Sequence, residues 1–302
     1  MSLGLSTLRD RAGTQLFLRV AGPDGLAQRD RIHGTPGPRW YLPGSPIRTV
    51  HGDASMFVGG MRALLLQSLH PAAMAAVAAH SGYKGDPWGR LARTSTFLAV
   101  TTFGTADDAE AAIARVREVH ERITGTTHEG IAYAAGDPEL LRWVHVAEAD
   151  SFLRAYRLYG QRPIDAVDAD RYVEQAARVA VALGAERVPT SVAELALALR
   201  EFRPVLGPSA AAREAADFLL HEPPVPWSLR PAYSSLARAA VASLPLWACE
   251  QLGVRHPGPV GRAGARLAGG TVTRMIRWML GPDDARRVAG AGRPAPSDDA
   301  RR

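Results

Sequence analysis

From residue 53 onward the chain is punctuated as a run of helices. A capping residue or a proline opens each alanine-rich segment and a glycine or proline closes it, while almost nothing alternates with the period of two that a half-buried strand requires. Asp53 reads as the cap of a helix over 54–69, and Pro71 opens a second over 71–80. The turn residues of SGYKGDP precede a helix over 88–103. Thr105 with Asp108 then forms a box-like start for a helix to about 124, stopped by Gly125. Gly136, Asp137 and Pro138 begin a long helix ending near 159. Others follow over 168–183, 191–202, 208–221, 231–251 and 260–279. The pattern predicts an all-α fold.

The flanks read differently. Pro23, Pro36, Pro38, Pro43 and Pro46 stand among glycines, a composition that favours extended chain. Residues 1–52 are therefore expected as a Pro/Gly-rich N-terminal arm, 53–280 as a single helical domain, and 281–302, ending RPAPSDDARR, as a flexible C-terminal tail. HEPPVPWSLRP, residues 221–231, is the best internal break. It reads as a bend within one domain, because the helices after it are too few to bury a core alone.

The formal charge of +6 raises nucleic acid or an anionic surface as a partner. The excess is almost entirely arginine, with Lys84 the only lysine, and the arginines are scattered among Asp and Glu as on solvated helix faces. Nucleic acid is not expected. A single cysteine, Cys249, excludes an intramolecular disulfide framework, a Cys-based zinc site and the Cys-x-x-Cys-His attachment of covalent haem, and it suits a reducing compartment. The first twenty residues break their apolar run with Arg9, Asp10, Arg11 and Arg19, unlike a signal peptide, and nowhere do about 18 apolar residues run together. No membrane span and a cytoplasmic location are expected; the oligomeric state is open.

Chemistry gathers in the first half of the chain. After Thr105, His120 falls on the stripe of Ala109, Ile113, Val116 and Ile123, so an imidazole is aimed at the core. On the preceding helix Arg90, Thr94 and Phe97 share a face and Arg93 stands beside it. An inward arginine needs an anion, whether a carboxylate such as Asp86 or Asp150 or an acidic group on a ligand. His145 shares a face with Leu141, Glu148 and Phe152, which makes Glu148 or Asp150 its orienting partner or an acid/base group. His70, before Pro71, is either a junction residue or a pocket wall. Each histidine could equally be a core imidazole satisfied by protein neighbours. Leu64, Leu65, Leu69, Phe97 and Phe103 could line an apolar pocket or be plain core. Glu-x-x-His, the element that builds carboxylate-bridged di-iron centres, is missing, as are Gly-rich phosphate cradles and a nucleophile elbow.

The segments ALLLQSLHPAAMAAVAAHSGYKGDPWGRLARTSTFL, VREVHERITG and YAAGDPELLRWVHVAEADSFLRAYRLYG follow in one order over roughly residues 50–205. Together they resemble the family containing the latex-clearing rubber oxygenases and the fungal oxygenase of mycophenolic acid biosynthesis. The resemblance implies a globin-like multi-helix domain, haem b with its iron, and oxidation of an apolar small molecule by dioxygen. Arg90, Arg93 and Thr94 stand where rubber oxygenases carry Arg-x-x-Lys-Thr, and His120 stands where the iron ligand would be. On that reading Arg90, Thr94, His70 and Phe97 would surround the haem and Arg93, His145, Glu148 and Asp150 would serve the chemistry, with His145 the second candidate for the iron ligand. An arginine stays protonated and is a poor iron ligand, so Arg93 points to an open or water-bound sixth position. A non-enzymatic carrier of haem or of an apolar ligand is the alternative.

Overall fold

Most of the expected helical starts and stops appear in the computed structural model, which describes residues 2–80, 82 and 85–290. The helices are α1 Ser2–Ala21, α2 Gly25–Gly34, α3 Pro46–His51, α4 Met56–Gln67, α5 Pro71–His80, α6 Pro87–Phe103, α7 Ala106–Glu121, α8 Pro138–Tyr159, α9 Ala166–Leu183, α10 Val192–Glu201, α11 Ala210–His221, α12 Arg230–Ser243, α13 Leu246–Leu252 and α14 Pro259–Gly290. The only sheet among the described residues is a two-stranded hairpin, β1 Thr124–Thr126 against β2 Ala132–Ala134. The fold is all-α. Side chains of Asp86, Thr105, Asp137, Asp165, Ser191 and Ser209 accept hydrogen bonds from the first-turn N–H groups of α6 to α11, which otherwise lack partners.

Three expectations are corrected. Residues 1–52 are not an extended arm, because α1, α2 and α3 form within them and α1 packs along α14 and α6. The prolines occupy the stretch between α2 and α3, and side chains tie that stretch to the body. Arg39 donates through Nη1 to the carbonyls of Ile32 (2.8 Å) and Phe103, and through Nη2 to those of His33 (3.2 Å) and Thr35 (2.9 Å), gathering carbonyls from the ends of two helices. The Tyr41 hydroxyl donates to the Gln175 carbonyl at 2.7 Å, and Gln175 Oε1 accepts from Ile47 N at 3.0 Å. The second correction concerns 231–251. It is two helices, since Pro245 has no N–H to continue the first, so α12 ends and α13 begins beside it. At the other end α14 runs on to Gly290 across a kink at Gly281 (φ 72°), so the expected tail does not begin at 281. Residues 291–302 and Lys84 lie outside the described residues.

The centre of the molecule is the pair α4 and α8. Gly59 allows the close approach, since a Cβ there would come within 3.0 Å of the Phe152 ring. Around the pair, Trp143, Leu65, Leu66, Leu69, Val146, Tyr172 and Val173 are completely buried. Leu65, Leu69 and Phe103 are thus core, whereas Leu64 is exposed. A second cluster joins Val58, Ala155, Tyr159, Leu236, Ala239 and Ile276, where α12 and α14 cover α4 and α8. Asp53, expected to cap α4, accepts from Ser55 N just before that helix and also receives Arg277 of α14 through Nε at 3.1 Å and Nη2 at 2.9 Å.

Candidate functional site

Helix α8 presents His145, Glu148 and Phe152 on one side, at the i, i+3 and i+7 positions that a 3.6-residue turn stacks in a row. Burial dominates both titratable groups: it pushes the Glu148 carboxyl up to about 7 and the His145 imidazole down to about 4. Both side chains nevertheless keep some accessible surface. Nε2 of His145 is buried with no hydrogen-bond partner, which costs about 1–3 kcal/mol in a sealed core.

α6 and α8 make no extensive contact, although each packs well on other elements. Only in its last turn does α6 bury side chains fully, at Thr101, Thr102 and Phe103; earlier residues retain surface all round the helix.

The wall next to Phe152 is closed by residues that no stripe in the sequence singled out. His51, at the end of the one-and-a-half-turn α3, sits edge-on to the Phe152 ring at 5.4 Å and to Tyr172 at 5.7 Å. Its Nδ1 lies 2.9 Å from the Thr102 hydroxyl and its Nε2 3.4 Å from the Tyr172 hydroxyl. Burial holds His51 neutral, with its pKa down to about 3. Tyr172 stays a neutral phenol well above its ordinary range, first through burial and then through the nearby Glu148 and Asp150 charges. A six-residue helix has too little length to show periodicity, which hid His51. Tyr172 reads in the sequence as one more core residue of α9.

The other expected residues are distributed as follows. His120 is half-buried in the last turn of α7, and burial lowers its pKa, so the imidazole is neutral near pH 7. Arg90 and Phe97 are half-buried on α6. Thr94 is exposed and its hydroxyl donates to the carbonyls of Arg90 and Leu91 in its own helix, both at 3.0 Å. The Arg93 side chain is 65% exposed and meets Asp86 at 3.5 Å, so it is a surface cation and not an inward one. Asp150 points away from His145: its Oδ2 lies 2.7 Å from Nη1 of Arg62. Arg62, buried on α4, also donates to Ser151 Oγ at 2.7 Å and to the Ser243 carbonyl at 3.2 Å, locking α4, α8 and α12 together.

His70 is separated from this group. It lies against Trp143, on the side of α8 turned away from His145, in a groove of about 400 Å³ lined also by Glu139, Arg142, Arg187, Glu201, Phe202 and Val205. Burial lowers its pKa against the pull of Asp137, and its Nδ1 has no hydrogen-bond partner. Among the described residues no three His, Cys, Asp or Glu side chains converge as a ligand set for a lone metal ion. What the structure assembles on one side of α8 is a neutral imidazole with a free nitrogen and a carboxyl that titrates near neutrality. Such a pair can accept, hold and release a proton.

An uncharacterized protein of Mycobacterium tuberculosis and one of Mycobacterium bovis are each 32% identical to this chain over 98 residues, which is 32% of this chain and 38% of theirs. The match thus spans well under half the length of those relatives. No solved structure matches. The sequence model of the family described as ER-bound oxygenase mpaB/B'/Rubber oxygenase, catalytic domain, matches residues 48–279, a span that starts in α3 and ends at the kink of α14. The chain belongs to that family of oxygenase catalytic domains.

Proposed function

We propose that the protein is an oxygenase that uses dioxygen and a b-type haem to oxidise an apolar small molecule, such as a terpenoid, a lipid-like compound or an aromatic intermediate. The observation that carries the reading is the pair on α8, His145 with a buried free Nε2 and Glu148 with a raised pKa, in a chain of an oxygenase family. The residues present fit a haem. A porphyrin supplies four of its iron's ligands itself, so one neutral imidazole suffices from the protein. His120 meets that need through its lowered pKa and half-buried position, and it would hold the iron. Arg90, half-buried one helix earlier, would offset the propionates, and Phe97 would flank the ring. Haem, once bound, would supply the reactivity toward dioxygen that no side chain of the chain offers.

The chain's own part is binding, exclusion of water and proton handling. Below about pH 7 the Glu148 carboxyl keeps its proton and would deliver it from an Oε atom to a substrate held against this side of α8. His145 Nε2, neutral and unpartnered, would accept a hydrogen bond from the substrate side. The contacts of His51 with Thr102 and Tyr172 fix its ring beside Phe152. Arg93, Thr94 and His70 take no part in this reading, since the first two face solvent and the third lines another groove. Asp150 has a structural partner in Arg62. A cytoplasmic setting belongs to the same proposal, supported by the lone, buried Cys249 thiol.

Spectra of variants made with haem supplied during expression test the assignment. His120→Ala is expected to lose the Soret band, and His145→Ala to keep it with a shifted maximum. The reverse result would make His145 the iron ligand, and a Soret band unchanged in both would remove these histidines from the cofactor altogether.

A further inference from the structure

Tyr159, the last residue of α8, lies along α14. Its carbonyl accepts from Arg277 Nη2 at 3.0 Å. Its ring tip meets Gly269, about two turns nearer the start of α14, where a Cβ would come within 3.4 Å of Cζ and 3.2 Å of Cε1. The hydroxyl therefore leads on past Gly269 toward Arg266, which precedes that glycine by three residues and stands within about 60° of it on the helix surface. On α8 itself side chains slant toward the helix start, so the Tyr159 ring covers the turn beside Arg154.

The ring is buried, Tyr159 being 7% exposed, yet its hydroxyl has no hydrogen-bond partner among the described residues and is not sealed from solvent. Burial pushes the phenol pKa up, while the charges of Arg266 and Arg154 pull it the other way and no carboxylate contributes. Both arginines are exposed, and neither is paired with Asp or Glu among the described residues. Three donor groups from two helices thus meet with no acceptor between them.

The start of α14 repeats the imbalance. Arg262 and Arg266 stand four residues apart in its first two turns, and its first turn holds no acidic residue. Like charges at that spacing repel, and the positive end of the helix dipole adds to the cost. A bound anion relieves both. A carboxylate has two oxygens, which one guanidinium already satisfies. A phosphate monoester near neutral pH carries close to two negative charges and three acceptor oxygens, which match two guanidiniums and one phenol.

We infer that Arg154, Tyr159 and Arg266 form a binding site for the phosphate group of a small, soluble phosphate monoester, in the notch between the end of α8 and the first turns of α14. The recessed hydroxyl admits a slender group on a free molecule. The inference is independent of the haem reading and of His145 and Glu148.

Calorimetric titration of the full chain with glycerol 3-phosphate at constant ionic strength tests it. Binding should saturate at one ligand per chain, and acetate at the same concentration should give none. Tyr159→Phe keeps the buried ring and should weaken binding about tenfold, the order expected for one lost hydrogen bond to a charged group. Arg154→Gln/Arg266→Gln should weaken it about a hundredfold. Arg200→Gln/Arg213→Gln removes the same charge from exposed positions elsewhere and should change the affinity less than about twofold, since distant surface charges are screened. Circular dichroism should show the same helicity in all three variants. The inference is overturned if the unsubstituted chain shows no saturable binding or if Arg154→Gln/Arg266→Gln binds as well as it does. Equal loss in Arg200→Gln/Arg213→Gln, which would mark attraction to net charge alone, or equal affinity for acetate would overturn it too.

Discussion

At the scale of single residues, the account turns on three buried groups whose protonation opposes one another. Glu148 has a folded pKa near 7 against an ordinary 4.5, so the fold favours its proton. The native state therefore binds more protons than the unfolded chain between those values, and stability falls as pH rises through them. His51 and His145, with folded pKa near 3 and 4 against 6.5, act in the other direction: stability is lost as pH drops below 6.5. Two protons against one between pH 4.5 and 6.5, and Glu148 alone above, put the maximum from these groups near about pH 6.5. Glu148→Gln should match the unsubstituted chain at pH 4 and exceed it by about 3 kcal/mol at pH 8, from a shift of roughly 2.5 units; urea unfolding at the two values measures the gap, and equal gaps would rule out the raised carboxyl. Arg62→Ala should cost about 3 kcal/mol by the same method, because Asp150, Ser151 and the Ser243 carbonyl lose one common donor. The alignment of His145 with Glu148 was legible in the sequence, since it follows from local helix geometry. The turning of Asp150 toward Arg62 was not, because the partner lies on another helix and nothing local marks an arginine inside an apolar run such as MRALLLQ.

Among the elements, those whose ends carry capping side chains were readable, and those held by distant contacts were not. Helices α6 to α9 are marked by Asp86, Thr105, Asp137 and Asp165 or by their closing glycines, signals complete within a few residues. Helix α1 has no such mark and its apolar residues are interrupted by charges; its place is set by α14, more than 200 residues away. Gly13 is where that contact is tightest, as a Cβ there would run into the Met279 carbonyl. Gly13→Leu should therefore lift α1 from α14 and destabilise the fold by about 2 kcal/mol, the range of overpacked sites. Limited proteolysis should then cut within residues 9–21 ahead of the rest of the chain. Retained resistance would mean that α1 is dispensable to the fold. The stretch between α2 and α3 misled for a related reason: its prolines do exclude a helix locally, but Arg39, Tyr41 and Gln175 hold it against the body.

For the whole molecule, the helices divide the work. The pair α4 and α8 forms a tight core locked by Arg62, and α12 and α14 cover its far side. On the near side α6 packs on α1, α2, α3 and α7 and makes little contact with α8. Fold class and family were visible in the order of the motifs. The central pairing of α4 with α8 was not, because it depends on which helices meet across the molecule. Titration of haem into the purified, haem-free full chain, followed by its Soret absorption, tests the claim directly. Saturation at one haem per chain, with loss of the sharp end point in His120→Ala, is the predicted result; a Soret band that grows without saturating, as for haem free in buffer, would contradict it.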